Sequence, residues 1–304
     1  MGSPEFAVPS LEALARAYYV VGVVTQPDRP AGRGRRLRPP PVKVTAQELG
    51  VPVYQPKSLR ATEAVERLAA WEPDVVVVAA FGQILPASVL DLPPYGCLNV
   101  HASLLPRWRG AAPIAAAILA GDVVTGVTLM KMDEGMDTGP ILAQRAEPIR
   151  PDDTTGSLAA RLARKGADLL LEILPLYLSG DLVPRPQPEE GITYCRPLKK
   201  EDGRLDWTRP AVELERRVRA MTPWPGAFTT WEGRLLKILR AAPLADWEGT
   251  EPPGTVVPVE GGVAVVAGEG ALALLEVQLA GRKPLPIDVF LRGQRTFLGA
   301  VLGP

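Results

Sequence analysis

The sequence predicts two domains of different class, an α/β half built on a mostly parallel sheet with covering helices and then a small β-barrel. Three observations carry this. The first 180 or so residues alternate short β-branched runs with helical stretches, as a parallel sheet and its crossovers do. Pro184, Pro186, Pro188 and Pro197 then fall among polar residues between Asp181 and Leu198, the composition of a stiff, extended connector. Beyond it, short strands are separated by glycine-containing turns. The expected boundaries are a first domain at 1–182, a linker at 183–200 and a second domain at 201–304. A chain of 304 residues is long enough to bury two cores, since one core takes about 100 to 200 residues.

In order along the first half, strands are predicted at residues 19–25, 51–54, 74–80, 97–101 and 126–132, with 141–145 as an antiparallel addition. Helices at 9–17, 42–49, 62–71, 112–120 and 155–178 fit between them by apolar spacing, and Gly50 and Gly121 stand where a helix ends. In the second half Leu214, Val218 and Met221 lie at i, i+4 and i+7, which predicts a helix whose other side carries Arg216, Arg217 and Arg219. Strands are predicted at 228–231, 235–240, 254–257, 263–266 and 271–279, the first two flanking the turn Glu232-Gly233.

Composition bounds the function. Apolar residues at 46% and charged residues at 22% belong to a folded globular chain. The formal net charge is zero, so attraction for a polyanion has to come from a local concentration of Lys and Arg. Residues 29–43 supply one: Arg29, Arg33, Arg35, Arg36, Arg38 and Lys43, with no Asp or Glu from 29 to 47. Gly32, Gly34 and Pro39-Pro40-Pro41 predict an exposed loop outside regular structure, mobile until it meets a polyanion. The longest apolar runs, such as 75–81, fall far short of the roughly 18 residues of a membrane span. With no basic-then-apolar leader, and Phe6 where a myristoylation pattern needs Ser or Thr, the expected location is the cytoplasm. Cys97 and Cys195 are too few for a disulfide framework or metal pattern and read as small core residues.

His101 is the only histidine, so chemistry that needs an imidazole has one candidate. Strand alternation over 97–101 puts Asn99 on the same face as His101, at the C-terminal end of a buried strand where open α/β sheets place ligands. A hydrogen-bonded structural histidine is the plainer reading; the strand-end position and the same-face amide favour function. A second polar cluster runs from Asp133 through Glu134, Gly135, Met136, Asp137, Thr138 and Gly139 to Pro140, after the strand at 126–132, so it too should emerge at a sheet edge. Asp beside Gly is by itself ordinary turn chemistry.

These segments carry a resemblance. Residues 98–110 read LNVHASLLPRWRG, and with GMDTGP further on they are similar to the folate-dependent formyltransferases: an Asn, a His two residues later, SLLP, and a distant Asp. The turn GSPEFA, the segment QPDRPAGRGRRLRPPPVK, the run SLLPRWRGAAPI and MTPWPGA near Met221 narrow this to the methionyl-tRNA formyltransferase family, over nearly the whole chain. The resemblance implies a doubly wound formyltransferase core followed by an oligonucleotide-binding-type β-barrel, and transfer of the formyl group of 10-formyltetrahydrofolate to the α-amine of methionyl-initiator tRNA. It implies that Asn99 and a protonated His101 donate to the developing oxyanion while Asp137 holds the imidazolium and accepts the proton of the amine. The implied folate contacts are Phe81, Gln83, Ile84 and Leu85, the run Ser103, Leu104, Leu105 and Pro106, and Asp133 and Gly135, with backbone groups of Ile84 and Leu85 reading the pterin edge. The implied tRNA contacts are the six basic residues of 29–43, Arg33 and Arg35 foremost.

No metal is expected, because one His and two separated Cys make a poor zinc set. A monomer is expected. Formyltransferases of this kind have a β-strand immediately before the GSP turn, so the resemblance also predicts an apolar gap between the segments at 19 and 74. A formyltransferase acting on a small-molecule amine, and a non-catalytic tRNA-binding protein of the same fold, stay open as other readings; the basic segment and the barrel argue against the first, and Asn99, His101 and Asp137 together argue against the second.

Overall fold

In chain order the first half forms α1 (Val8–Ala17), β1 (Val23–Val24), β2 (Arg29–Ala31), β3 (Arg36–Arg38), α2 (Pro41–Glu48), β4 (Val53–Tyr54), α3 (Thr62–Ala69), β5 (Val76–Val78) and α4 (Ala87–Leu90). It continues through β6 (Cys97–His101), β7 (Arg109–Gly110), α5 (Pro113–Ala120), β8 (Val124–Lys131), β9 (Ile141–Pro148), α6 (Thr155–Ser179) and β10 (Tyr194–Cys195). This computed structural model describes residues 1–31 and 36–303. Two units emerge, one of Met1–Pro113, Val124–Pro148 and Leu158–Arg196, the other of Ile114–Val123, Ile149–Ser157 and Pro197–Pro304.

The first unit holds a two-stranded sheet, β1-β4, and a four-stranded one, β5-β6-β8-β9, and the larger is mixed where a mostly parallel sheet is expected. β1 pairs β4 and β5 pairs β6 in parallel, but β8 runs antiparallel to both β6 and β9. The register explains this: β8 begins at the end of β6 that carries His101, with His101 opposite Thr128 and Leu98 opposite Lys131. Residues 102–123 therefore do not recross the sheet, and a parallel pair needs a connection that does. Met1 and Gly2 bond to both parallel pairs, Gly2 N donating to Val24 O at 3.1 Å and Ala79 N to Met1 O at 2.9 Å. The gap expected between the segments at 19 and 74 is present as a cavity of about 310 Å³ lined by residues 18–24 and 73–77.

The basic segment departs from expectation. Its described parts form an antiparallel ladder, Arg29 opposite Arg38 and Pro30 opposite Leu37, so it is a β-hairpin and not an irregular loop. Proline is tolerated there because the ladder has only two strands and each is an edge. Arg33 and Arg35 lie outside the described residues. The stretch expected as a linker is hydrogen-bonded into the first unit: Arg185 exchanges two bonds with Ile141, Thr193 N donates to Pro106 O, and β10 pairs β7 in parallel.

The second unit contains α7 (Ala211–Ala220), β11 (Ala227–Trp231), β12 (Arg234–Leu244), β13 (Val256–Val259), β14 (Gly262–Val266), β15 (Ala271–Leu279), β16 (Leu285–Pro286) and α8 (Ile287–Gly293). Its sheet is antiparallel in the order β11-β12-β15-β14-β13, with β16 beside β15. Glu232 and Gly233 both take positive φ, 48° and 70°, the backbone that closes a two-residue hairpin. Trp231, Phe290 and Phe297 meet edge to face at 5.1 to 5.9 Å, holding α8 against the sheet.

Candidate active site

Every residue of β6 is buried, and the strand's alternation sorts its side chains. Leu98 and Val100 lie in the core, Val100 against Gly166 of α6, so closely that a Cβ there would stand 2.6 Å from the Val100 methyl. Asn99 and His101 share the other face at 9% and 6% exposure. The loop after β6 is tied down at several points. Thr128 Oγ1 donates to Ser103 O at 2.7 Å and accepts from Leu105 N and Gln144 Nε2, while Trp108 N donates to Thr193 Oγ1 at 2.8 Å.

Asp137 arrives from an unexpected direction. β8 ends beside Leu98, so the loop 132–140 starts away from the His101 end of the sheet and folds back. Gly139 permits that return: a Cβ there would fall 1.8 Å from Lys131 O, and Pro140 O accepts from Lys131 N at 2.9 Å. Asp137 itself takes φ 53°, a left-handed backbone rare for a residue with a side chain. Its Oδ1 accepts from Asn99 Nδ2 at 3.2 Å and stands 3.6 Å from His101 Nδ1, and its Oδ2 accepts from Gly110 N at 2.8 Å. Gly110 has φ 112° and passes so near β10 that a Cβ would lie 2.2 Å from Cys195 O.

The three residues singled out from sequence thus form one cluster. The imidazole is hydrogen-bonded through Nε2, which lies 3.0 Å from Trp108 O. A carbonyl can only accept, so the tautomer that suits this contact carries its proton on Nε2, while Nδ1 faces the Asp137 carboxylate at 3.6 Å. Among the described residues one N–H of Asn99 is left beyond its bond to Asp137. The Trp108 carbonyl occupies the place in front of Nε2 that an acceptor oxygen of a substrate would take.

The other expected site residues divide by accessibility. Phe81 and Leu85 are buried in the core with Val24 and Leu59, whereas Ile84 between them is 73% exposed. The Phe81 carbonyl already accepts from Ser3 Oγ at 3.3 Å and Gln26 Nε2 at 3.2 Å. The Gln83 amide is spent on the neighbouring loop, accepting from Leu59 N and donating to Pro56 O. Ser103 is fully buried with its hydroxyl on Arg107 O, Leu105 is buried, and Leu104 and Pro106 are half-buried. Asp133 caps its own turn, accepting from Gly135 N and Thr138 Oγ1.

Among the basic residues Arg29 reaches Gln26 Oε1 at 3.1 Å and Arg38 is exposed. Lys43 lies in α2 and is held by Asp28 at 2.8 Å, so it anchors the base of the hairpin instead of standing free for a phosphate. The Gln55 amide and then Lys43 hold the Asp28 carboxyl below its ordinary value. On α7, Arg217 donates to Asp202 O and Arg219 pairs with Glu215, so that face serves its own unit. Burial pushes the Cys97 thiol up to about 12 and raises Cys195 as well.

Sequence reading missed Thr128, Thr193 and Gln187. Thr193 and Gln187 lie in the supposed linker, where Pro186-Gln187-Pro188 looks like spacer. The one signal available was a lone amide between prolines.

Residues 2–174 match the formyl transferase family, and residues 197–295 match the formyl transferase C-terminal domain. A relative in Myxococcus xanthus, a methionyl-tRNA formyltransferase, is 53% identical over 301 residues, covering 99% of this chain and 96% of its own length. The enzyme of the same name in Chloroflexus aurantiacus is 52% identical over 296 residues, covering 96% and 95%. A crystal structure of the sugar 3N-formyl transferase WlaRD, in the presence of dTDP and 5-N-formyl-THF, shares the fold at TM-score 0.66 and 17% identity, covering 93% of this chain and 97% of that one.

Proposed function

The chain belongs to the methionyl-tRNA formyltransferase family, and on that premise we propose that it transfers the formyl group of 10-formyltetrahydrofolate to the α-amine of methionyl-initiator tRNA, for translation initiation. The observation that carries the mechanism is the cluster in which Asp137, from the loop 132–140, meets Asn99 and His101 on one buried strand face. The folate supplies an activated formyl group; the amine nitrogen adds to the formyl carbon to give a tetrahedral intermediate, which collapses as the bond from that carbon to the folate nitrogen breaks. Our reading gives the negative charge gathering on the formyl oxygen two donors, the spare N–H of Asn99 and His101 Nε2–H once Trp108 O yields its place. One such preorganised donor lowers the barrier by about 3 to 4 kcal/mol. Asp137, 3.6 Å from the imidazole, balances its charge and takes the proton that the amine sheds, which then passes to the leaving nitrogen.

The folate-contact assignment rests on the segment between Phe81 and Leu85. Two buried anchors hold its backbone groups in place for the polar edge of a pterin, with the exposed Ile84 as an apolar ledge. The hairpin arginines, with Arg33 and Arg35, meet the acceptor end of the tRNA, and the antiparallel second unit, as an oligonucleotide-binding-type barrel, adds a second contact. In this reading the first domain takes in the expected linker as far as Arg196, the second follows from Pro197, and the enzyme acts in the cytoplasm as a monomer without a metal ion. The test is formyl transfer by the purified protein to charged initiator tRNA and, in parallel, to small-molecule amines. Transfer to the charged tRNA alone is the expected outcome; transfer only to a small amine, or tRNA binding without transfer, overturns the proposal.

A further inference from the structure

Gln187 spends all four hydrogen-bonding positions of its amide around the active site. Its Nε2 donates to Asp137 O and to Gly139 O, both at 2.8 Å, and its Oε1 accepts from Arg109 Nε at 3.0 Å and Nη2 at 2.7 Å. The orientation is fixed by chemistry: turned over, the amide would set its N–H groups against a guanidinium and its oxygen against two carbonyls. Arg109 is 6% exposed and, among the described residues, has no carboxylate partner, so the Gln187 oxygen is what meets its guanidinium. Arg109 is joined by the chain to Gly110, whose N–H holds Asp137 Oδ2. One side chain therefore grips both segments that aim Asp137, the loop 137–139 through its carbonyls and β7 through Arg109.

We propose that Gln187 is a positioning residue for formyl transfer: it fixes the left-handed Asp137 and so sets its carboxylate beside His101. A left-handed backbone is disfavoured for a residue with a side chain and persists only where neighbours over-determine it. Two of the bonds that do so, at Oδ1 and Oδ2, depend on where the Asp137 backbone lies; the bond from Gln187 holds the backbone itself. No other uncharged side chain of this length offers two donors and two acceptor positions at once. Glutamate would meet Arg109 better but would turn a carboxylate on the two carbonyls, and asparagine is one carbon too short.

The inference rests on the reading of Asp137 as catalytic, and its test has a readout that needs no substrate. His101 is the only histidine, so the protein gives one imidazole NMR signal. Gln187→Glu and Gln187→Ala should move that signal as Asp137→Asn does, while the far-ultraviolet circular dichroism stays that of the parent. In formyl transfer both should lower kcat by about 10- to 100-fold, the scale of a misplacement near 1 Å, with KM for charged tRNA within about twofold. Combined with Asp137→Asn, neither should lower kcat further, because both losses act through one carboxylate. An unmoved imidazole signal, or a Gln187→Glu enzyme as fast as the parent, overturns the inference. A parent enzyme that transfers no formyl group overturns instead the function proposed above, and the imidazole signal still decides the placing of Asp137.

Discussion

Asp137 does several jobs with one carboxylate, bonded to Asn99 and Gly110 and facing His101, and this sharing sets what mutations will do. His101→Ala and Asp137→Ala should each reduce formyl transfer at least about 100-fold, the scale for losing an oxyanion donor or its partner. Because the two act as a unit, the double variant should be little slower than the slower single one; losses that multiply in the rate assay would show independent roles. Cys97 offers a contrasting residue. Its thiol, pushed up to about 12 by burial, is almost wholly protonated at pH 8, and the thiolate is the reactive form. Iodoacetamide followed by mass spectrometry should leave Cys97 unmodified in the native protein and modified after denaturation, and rapid native labelling would contradict the burial.

At the scale of elements, α6 meets the active-site strand where it has no side chain. Gly166 faces Val100, the residue between Asn99 and His101. Gly166→Ala gains about 1 kcal/mol of helix propensity but forces a Cβ to within 2.6 Å of the Val100 methyl, and overpacking of this kind costs about 1 to 3 kcal/mol. The variant should melt earlier and lose activity, with Val100→Ala in the same chain restoring both. The other side of α6 is tied to β9 through Glu147, which pairs with Lys165 and Arg161. The Lys165 bond first, and the Arg161 bond with it, hold the Glu147 carboxyl below its ordinary value. The unfolded chain then binds the proton more readily, so this stabilisation is present above the usual carboxylate range near about 4.3 and is lost as pH falls through the lower folded value. Glu147→Gln should cost about 1 to 2 kcal/mol at neutral pH and little in acid, read from denaturant midpoints at both.

For the whole molecule, zero net charge means that attraction for tRNA is a matter of placement. With Lys43 held by Asp28, and Arg217 and Arg219 bonded within their own unit, the proposed contact rests on the arginines of residues 29–38. Arg can hold a phosphate bidentately or stack on an unpaired base. Replacing Arg33 and Arg35 by Ala should weaken binding of charged tRNA, flatten log affinity against log salt by about one unit per lost phosphate contact, and leave folate binding unchanged. Unaltered affinity together with an unaltered slope would move the contact to the second unit.

The strands and helices were legible because their signals are local: the β-branched run at residues 76–78, the alternation at 97–101, and apolar spacing in α6 and α7 report on neighbours in the chain. That Asn99 and His101 share one face was legible for the same reason, since alternation alone puts residues two apart on one face. What the sequence left open depended on partners far along the chain. The antiparallel entry of β8, the return of the loop 132–140 through Gly139, the ladder between Arg29 and Arg38, and the capture of residues 183–196 by the first unit each needed a pairing that local propensity does not encode. Gln187 is the sharpest case. Between two prolines it reads as spacer, and only the folded chain brings Asp137, Gly139 and Arg109 within reach of one amide, because the free energy that selects this arrangement lies in contacts 48 to 78 residues apart.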